Sequence, residues 1–472
     1  MANVDMTRRF FIGGACAFGA WSAMRANSVF AAVEGGKKPN LVLGILSDLH
    51  VTFPGGKDEI RTGWGNEDAF RHALEWYREQ GVDAVVITGD LAEFGMVNQI
   101  KAVADVWEEV FPGDNGKDGR HVEKIFITGN HDFEGTFYEY ARNVLCGWHK
   151  EAKADYGAWC KANALRADIP GLWKKYFHED YEQFYRKDVK GYTFLCQHWD
   201  NGTGVEAGLS ECAFGPKLKA YLDEHGKELA GAKPFFYLQH PHPKGTCYLG
   251  VPGCEGEDLV TTTLSKYPNA IALSGHSHLP LTDERAIWQG GFTSVGTSSL
   301  RNSGFPGGYD TKYTNRYSRQ GMLWKVYDDC IVMKRREFLL DRELGPDWVM
   351  ALPMVEPGPF DFEARRKKAV APEFAAGAKL VLKKGKDGTF ELLIPATEKV
   401  PRCFEFEVEV EGKAGEKKVI HVLAEGFNFP EGVETRVDLG MKDVVKVVVT
   451  PMDCWKCRGR ALESEFLVVG RE

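Results

Sequence analysis

The chain is 472 residues long, with 43% apolar residues, 27% charged residues and a formal net charge of −8. That length admits two or three domains, and the composition is that of a globular protein rather than a disordered or fibrous one. An acidic balance with a pI near 6.0 argues against a general nucleic-acid binder, which needs a basic stripe.

The N-terminus reads as a leader. Thr7, Arg8 and Arg9 precede Phe10, Phe11 and Ile12, and a mildly apolar stretch runs to Met24 and stops at Arg25. The stretch is shorter than the roughly 20 apolar residues a bilayer span needs. Small residues around Ala31 follow it, so residues 1–31 are expected to be an export signal, with a cytoplasmic helix or uncleaved anchor as the alternative. The paired arginines resemble a twin-arginine signal. Export would place the mature chain in the periplasm or at the cell surface of a bacterium, with no stable membrane span. It would also permit disulfides, and Cys247 and Cys254 flank a loop that a bridge could close.

Beyond the leader, apolar runs alternate with helix-like segments. Strands are expected at 41–46, 84–88 and 124–128, with helices at 67–80 and 98–110 between them. A helix at 216–229 then precedes strands at 235–238 and 270–274. This alternation predicts an α/β sheet system covered on both faces. Residues 138–185 interrupt it with Trp148, Trp159, Trp173, Tyr176, Phe177, Tyr181, Phe184 and Tyr185, mostly at helical spacings. Such an insertion is either an aromatic-packed helical module or a lid bordering a pocket. Pro353, Pro357, Gly358 and Pro359 mark a linker at 351–359. Past it the texture changes to alternation, as in Phe404-Glu405-Phe406-Glu407-Val408-Glu409-Val410, the period of a strand with one buried face. Further strands are expected at 445–450 and 465–469, so residues 360–472 read as a β-sandwich. The Cys454-Trp455-Lys456-Cys457 spacing lacks a redox context and reads as structural.

The ends of the apolar runs carry the chemistry. One run ends in Asp48 and His50, one in Asp90, one in Asn130, His131 and Asp132, one in His240 and His242, and one in His276 and His278. Burying such groups is costly unless something uses them, and the carboxyl ends of strands are where sites form in open α/β sheets. Imidazoles mixed with carboxylates and an amide, without thiolate, suit Fe, Mn or Zn in a reactive site. The set is too large for one tetrahedral ion, which suggests two metal ions about 4 Å apart acting on an in-line displacement.

Asp48-x-His50, Gly89-Asp90, Gly129-Asn130-His131-Asp132, the strand-terminal His240 and Gly275-His276-Ser277-His278 together resemble the calcineurin-like metallophosphoesterase superfamily. All five blocks occur in the family's order. The resemblance implies a four-layer α/β (α+β) sandwich of the βαββ type over about 38–350, with the aromatic-rich insertion at 138–185. It implies that Asp48, His50 and His278 hold one metal, that Asn130, His240 and His276 hold the other, and that Asp90 bridges them. His131 would protonate the leaving group and Asp132 would orient its ring. Relatives often have adjacent histidines where this chain has His240-Pro241-His242, so His242 is assigned to a supporting or substrate-facing position. His198 stands where many relatives carry an aspartate, and a satisfied strand-end histidine is the reading its surroundings favour. His121, His149 and His178 lie off the motifs.

The β-region at 360–472 resembles, in texture alone, the fibronectin-type-III-like domains appended to secreted members of the superfamily. The expected activity is an exported dinuclear hydrolase of small-molecule phosphate esters, a phosphomonoesterase or phosphodiesterase. The alternatives are a nuclease of the same superfamily, which the acidic balance disfavours, and a catalytically idle surface protein that binds through its β-domain.

Overall fold

The computed structural model describes residues 36–52, 67–199, 213–249, 257–304, 309, 318–354, 358–385, 387–398, 402–428 and 432–465. The expected leader, with Arg8 and Arg9, and Cys254 lie outside them. Two sheets stack face to face. The first has the order β12-β11-β10-β1-β2-β3, built from Arg342–Glu343 (β12), Cys330–Glu337 (β11), Gln320–Val326 (β10), Leu41–Leu46 (β1), Ala84–Thr88 (β2) and Glu123–Ile127 (β3). Its strands β1, β2 and β3 are parallel, while β10 is antiparallel to β1. The second has the order β4-β5-β6-β7-β9-β8, from Phe184–Val189, Tyr192–Gln197, Phe235–Leu238, Ala270–Ser274, Ile287–Gln289 (β8) and Thr293–Gly296 (β9). In it β5, β6, β7 and β9 are parallel.

Alternation along each strand builds the layers. Leu41, Leu43 and Ile45 of β1 face the second sheet, where Phe194, Phe236, Leu238 and Leu273 meet them in one core. Val42 and Leu46 face outward and pack with Phe70, Leu74 and Tyr77 of the helix Asp68–Gln80 and with Ile100, Val103 and Trp107 of the helix Val97–Val110. On the far side, Leu195, Tyr237 and Ala272 pack with Leu218 and Leu222 of the helix Gly215–Leu229 and Val260 of the helix Asp258–Leu264. Strands buried on both faces read as continuous apolar runs, which is why they were visible in the sequence. The result is a mixed α/β sandwich of four layers.

The insertion folds as the helices Glu139–Trp148, Lys150–Ala154, Tyr156–Asn163 and Ile169–Phe177. Asp155 and Asp168 cap the last two by accepting from Ala158 N and Gly171 N. Trp173 and Phe177 are buried against Phe126 and the outer helices, so this part of the insertion is core. Trp148 is 38% exposed, and Trp159 packs beside His149.

The strand Trp348–Ala351 (β13) pairs with β11, so the first residue of the expected linker still belongs to the sheet. Leu352, Met354 and Phe360 also pack on the inter-sheet core. The C-terminal region is all-β: a three-stranded antiparallel sheet, β14-β15-β18 (Val381–Lys384, Phe390–Ile394, Thr435–Asp438), and a four-stranded one, β17-β16-β19-β20 (Lys417–Leu423, Glu405–Gly412, Val444–Met452, Leu462–Glu465). Phe406, Val408 and Val410 face Ile420, Val447 and Val449 in its core, as the period-2 pattern requires. Of the strand expected at 465–469 only Glu465 is described, as the last residue of Leu462–Glu465; the rest lies outside the described residues. No helix among the described residues is long and apolar enough to cross a membrane.

Candidate metal centre

All five polar run ends converge at the carboxyl edge of the two sheets. Among the described residues, potential metal-ligating atoms gather in three groups, each with its atoms within 4.8 Å of one another. One is Asp48, His50, Asp90 and His278, and another is Asp90, His240 and His276. Asp90 belongs to both. The third, His50, Glu93 and His131, flanks the first.

The backbone is bent to achieve this. Asp48, His50, Asp90, His276 and His278 all take positive φ, between 47° and 67°, a conformation that costs a non-glycine residue about 1–3 kcal/mol and clusters at functional sites. The neighbouring glycines are required by crowding. A Cβ at Gly89 would strike the His240 ring, one at Gly129 would strike Asp90, and one at Gly275 would strike Ser47 and Asp48.

The side chains face one another as a ligand set does. His278 Nε2 is 3.0 Å from Asp48 Oδ1 and 3.0 Å from His50 Nε2. His240 Nε2 is 3.1 Å from Asp90 Oδ2 and 3.2 Å from His276 Nδ1. His240 Nδ1 lies 2.8 Å from the Thr88 carbonyl, which can only accept, so Nδ1 carries a hydrogen and Nε2 is the atom turned toward Asp90. His50 Nδ1 is likewise held by the Glu93 carboxylate at 2.7 Å. Ring nitrogens and carboxylate oxygens can face one another this closely only with positive charge between them, a proton or a metal ion. Asn130 Oδ1 is buried with no hydrogen-bond partner, although buried amide oxygens are normally paired. These residues fit a divalent metal. Outer partners such as Glu93 and the Thr88 carbonyl fix ring orientation, as metal-ligating histidines require.

The electrostatics agree. Burial penalises the Asp48 carboxylate, yet His278, His50 and His240 hold it well below its ordinary value. Burial also penalises a charged His240, but Asp90 and Asp48 pull it up to about 9. The pocket therefore attracts positive charge strongly enough to overcome desolvation.

One assignment from the sequence changes. Asp132 does not orient His131. Its carboxylate accepts from Gly129 N at 2.8 Å, Ala92 N at 2.8 Å and Leu91 N at 3.3 Å, tying the Asp90 loop to the Asn130 loop. Adjacent residues at a helix start point to different sides, so Asp132 cannot follow the His131 ring. His131 is instead held through Nδ1 by the Glu93 carbonyl at 2.8 Å. His198, the other substrate or supporting candidate, packs among Trp173, Tyr181 and Tyr185 and accepts from Thr128 N at 3.0 Å. Burial pushes it down to about 3, so it is a neutral packing residue. His242 sits between Ser274 Oγ at 2.7 Å and Ser277 Oγ at 2.8 Å, where it braces the His276–His278 turn.

Sequence reasoning missed Glu93 and Tyr138. Glu93 holds two histidines, one through its side chain and one through its carbonyl; its only signal was a carboxylate three residues past Asp90. Tyr138 OH lies 3.3 Å from Asn130 Nδ2, and its ring is 5.5 Å from that of His131. The insertion thus meets the site through Tyr138 and through Tyr140, whose hydroxyl donates to Glu93 Oε1 at 2.7 Å, rather than through its tryptophans. Trp199, 6.1 Å from the His240 ring, donates to Glu134 Oε1 at 3.3 Å.

The model of the calcineurin-like phosphoesterase family matches residues 41–280. The chain belongs to that family. Among solved structures, this phosphoesterase-family chain is similar to a conserved uncharacterized protein from Streptococcus pneumoniae, described as a predicted phosphoesterase. The two are 12% identical with a TM-score of 0.27, over 66% of this chain and 97% of that one. It is also similar to wild-type Vps29 from Entamoeba histolytica complexed with zinc, at 10% identity and a TM-score of 0.30, over 66% of this chain and 99% of that one. No curated protein matches it in sequence.

Proposed function

We propose that the protein is an exported phosphoesterase that binds two metal ions and hydrolyses small phosphate mono- or diesters. The observation that carries this reading is that Asp90 belongs to two ligand groups at once, since a carboxylate offers an oxygen to each of two ions. Asp48, His50, His278 and Asp90 would hold one ion, and Asp90, Asn130, His240 and His276 the other. Two such ions, when bound, would neutralise charge on the phosphoryl oxygens and lower the pKa of a water.

The chain's own residues do the rest. His131, tied at Nδ1 to Glu93, is left with Nε2 for the ester. Burial keeps its pKa below the ordinary histidine value, so the free ring is neutral; beside an anionic phosphate it would take a proton from solvent at Nε2 and give that proton to the departing alkoxide. The His131 backbone fixes the loop through the 2.9 Å bond from His131 N to Asp90 Oδ1. Tyr138 closes the site on the insertion side. Residues 360–472 form the appended fibronectin-type-III-like domain of this reading, and the leader with Arg8 and Arg9 directs export.

Full-length protein supplied with Mn²⁺, Fe²⁺ or Zn²⁺ should hydrolyse members of a panel of phosphomonoesters, phosphodiesters and nucleotides, and a chelator should abolish the activity. Inactivity against the whole panel with both ions bound would overturn the reading. Export is tested separately: Arg8→Lys with Arg9→Lys should retain the precursor in the cytoplasm, and unchanged export would exclude the twin-arginine route.

A further inference from the structure

Among the contacts of the C-terminal β-region with the α/β body, such as Arg285 over the Phe404 ring and Tyr309 OH on Glu405, one is a fully satisfied amide. Asn428 is fully buried. Its Nδ2 donates to Ser303 Oγ at 2.7 Å and Ser318 Oγ at 2.9 Å, and its Oδ1 accepts from Gln320 Nε2 at 3.0 Å. Ser303 and Ser318 also bond each other. The loop that carries Asn428 is itself clamped, because Arg402 Nη1 donates to the carbonyls of Gly426, Phe427 and Asn428 at 3.2, 3.3 and 3.0 Å. Every polar atom of the Asn428 side chain is used, and all of its partners belong to the other domain.

Those partners lie directly behind the metal centre. Ser303 ends a loop whose Ser299 Oγ and Arg301 N donate to the Asp48 carbonyl at 3.1 and 3.2 Å. One residue past Ser303, Gly304 N donates to the His278 carbonyl at 2.7 Å. A Cβ at Gly304 would strike the Ser277 carbonyl, so loop and turn are in direct contact. Gln320 holds the same loop through its backbone N–H to the Ser299 carbonyl at 3.0 Å. Its side chain accepts from Leu281 N at 2.7 Å, just beyond the His278 turn. Asp48 and His278 have φ of 51° and 54°, and strained backbones persist only where their surroundings over-determine them.

We infer that Asn428 is a positioning residue for the metal centre: by gripping Ser303, Ser318 and Gln320 it holds the loop that keeps Asp48 and His278 in ligating geometry. The β-region then acts on the site rather than merely being appended to it. The inference rests on the metal-binding reading above. It distinguishes the two half-sites, because His240, which belongs to the second alone, is held from elsewhere by the Thr88 carbonyl.

The test is titration of Mn²⁺ into chelator-stripped, full-length protein. Asn428→Ala should weaken one of the two binding steps about 10–100-fold, the usual effect of losing an outer partner of a metal ligand, and leave the other within twofold. The weakening should persist when His276→Ala disables the second half-site and vanish when His278→Ala disables the first. Ser303→Ala removes a single hydroxyl, so it serves if Asn428→Ala folds poorly, and the double variant should be no worse than Asn428→Ala. Arg458→Gln, which breaks a surface pair in the same β-region, should leave both steps unchanged. Wild-type affinities in Asn428→Ala and Ser303→Ala, or equal weakening of both steps, would overturn the inference. If the wild-type protein itself bound no ion, the metal reading would fail first.

Discussion

The α/β body and the C-terminal β-region bury their residues by different rules. In the β-region, Glu407 and Glu409 alternate with buried Phe406, Val408 and Val410, and buried Asp453 and Thr435 are satisfied by backbone N–H groups of the same region. In the α/β body, apolar strands end in buried Asp48, Asp90 and His240, with strained backbone and an unpaired Asn130 Oδ1. A fold optimised only for stability would not keep such groups. Stability is a small difference between large terms, so a few kcal/mol of strain and unpaired polarity mark a site maintained for use.

The largest expected effect that sharpens this contrast is on the strand ends. His131→Ala should slow turnover about 10²–10⁴-fold, the contribution of a positioned proton donor, while elemental analysis finds the metal content unchanged. The loss should shrink for nitrophenyl esters, whose leaving group needs little protonation; an equal loss on all esters would make His131 a charge clamp. Trp173 provides the opposite case, a large residue near the site that serves packing. Trp173→Ala should cost about 3–5 kcal/mol of stability with KM unchanged, and a raised KM without a lower melting point would return it to the pocket.

A third test uses Glu337, buried in β11 opposite Gln320 and outside the ligand groups. Burial pushes its carboxyl up to about 7 from the ordinary 4.5. Its protonated form is favoured in the fold, so its contribution to stability is complete below about pH 4.5 and lost as pH rises through about 7. Glu337→Gln should flatten that part of the stability profile, and an unchanged slope would mean the carboxyl stays ionised. The smallest effect belongs to the β-region surface. The Arg458–Glu407 pair, at 2.5 Å but half exposed on the arginine side, should contribute under about 1 kcal/mol, as a double-mutant cycle in denaturant would measure.

What could be read in the sequence follows the same division. The parallel strands were legible because burial on both faces makes them continuously apolar, and the ligand residues because they interrupt that pattern at its ends. His240 could be preferred to His242 because it directly follows the Phe235–Leu238 strand; the structure turns His240 toward Asp90 and gives His242 two serines. The role of Asp132 was misread because spacing does not say which way neighbouring side chains point. Glu93, Tyr138 and Asn428 were not legible as site residues. Glu93 acts partly through its carbonyl, which any residue has, and Asn428 meets Ser303 across 125 positions of sequence, a contact no local pattern encodes.

The central claim is that Asp90 joins two half-sites. Its most direct test is the stoichiometry and affinity of Mn²⁺ binding to chelator-stripped full-length protein, wild type beside Asp90→Asn. Two ions should bind the wild type, and Asp90→Asn should weaken both together, because both lose the same carboxylate. A single ion in the wild type, or an Asp90→Asn variant that keeps either ion at wild-type affinity, would contradict the shared carboxylate.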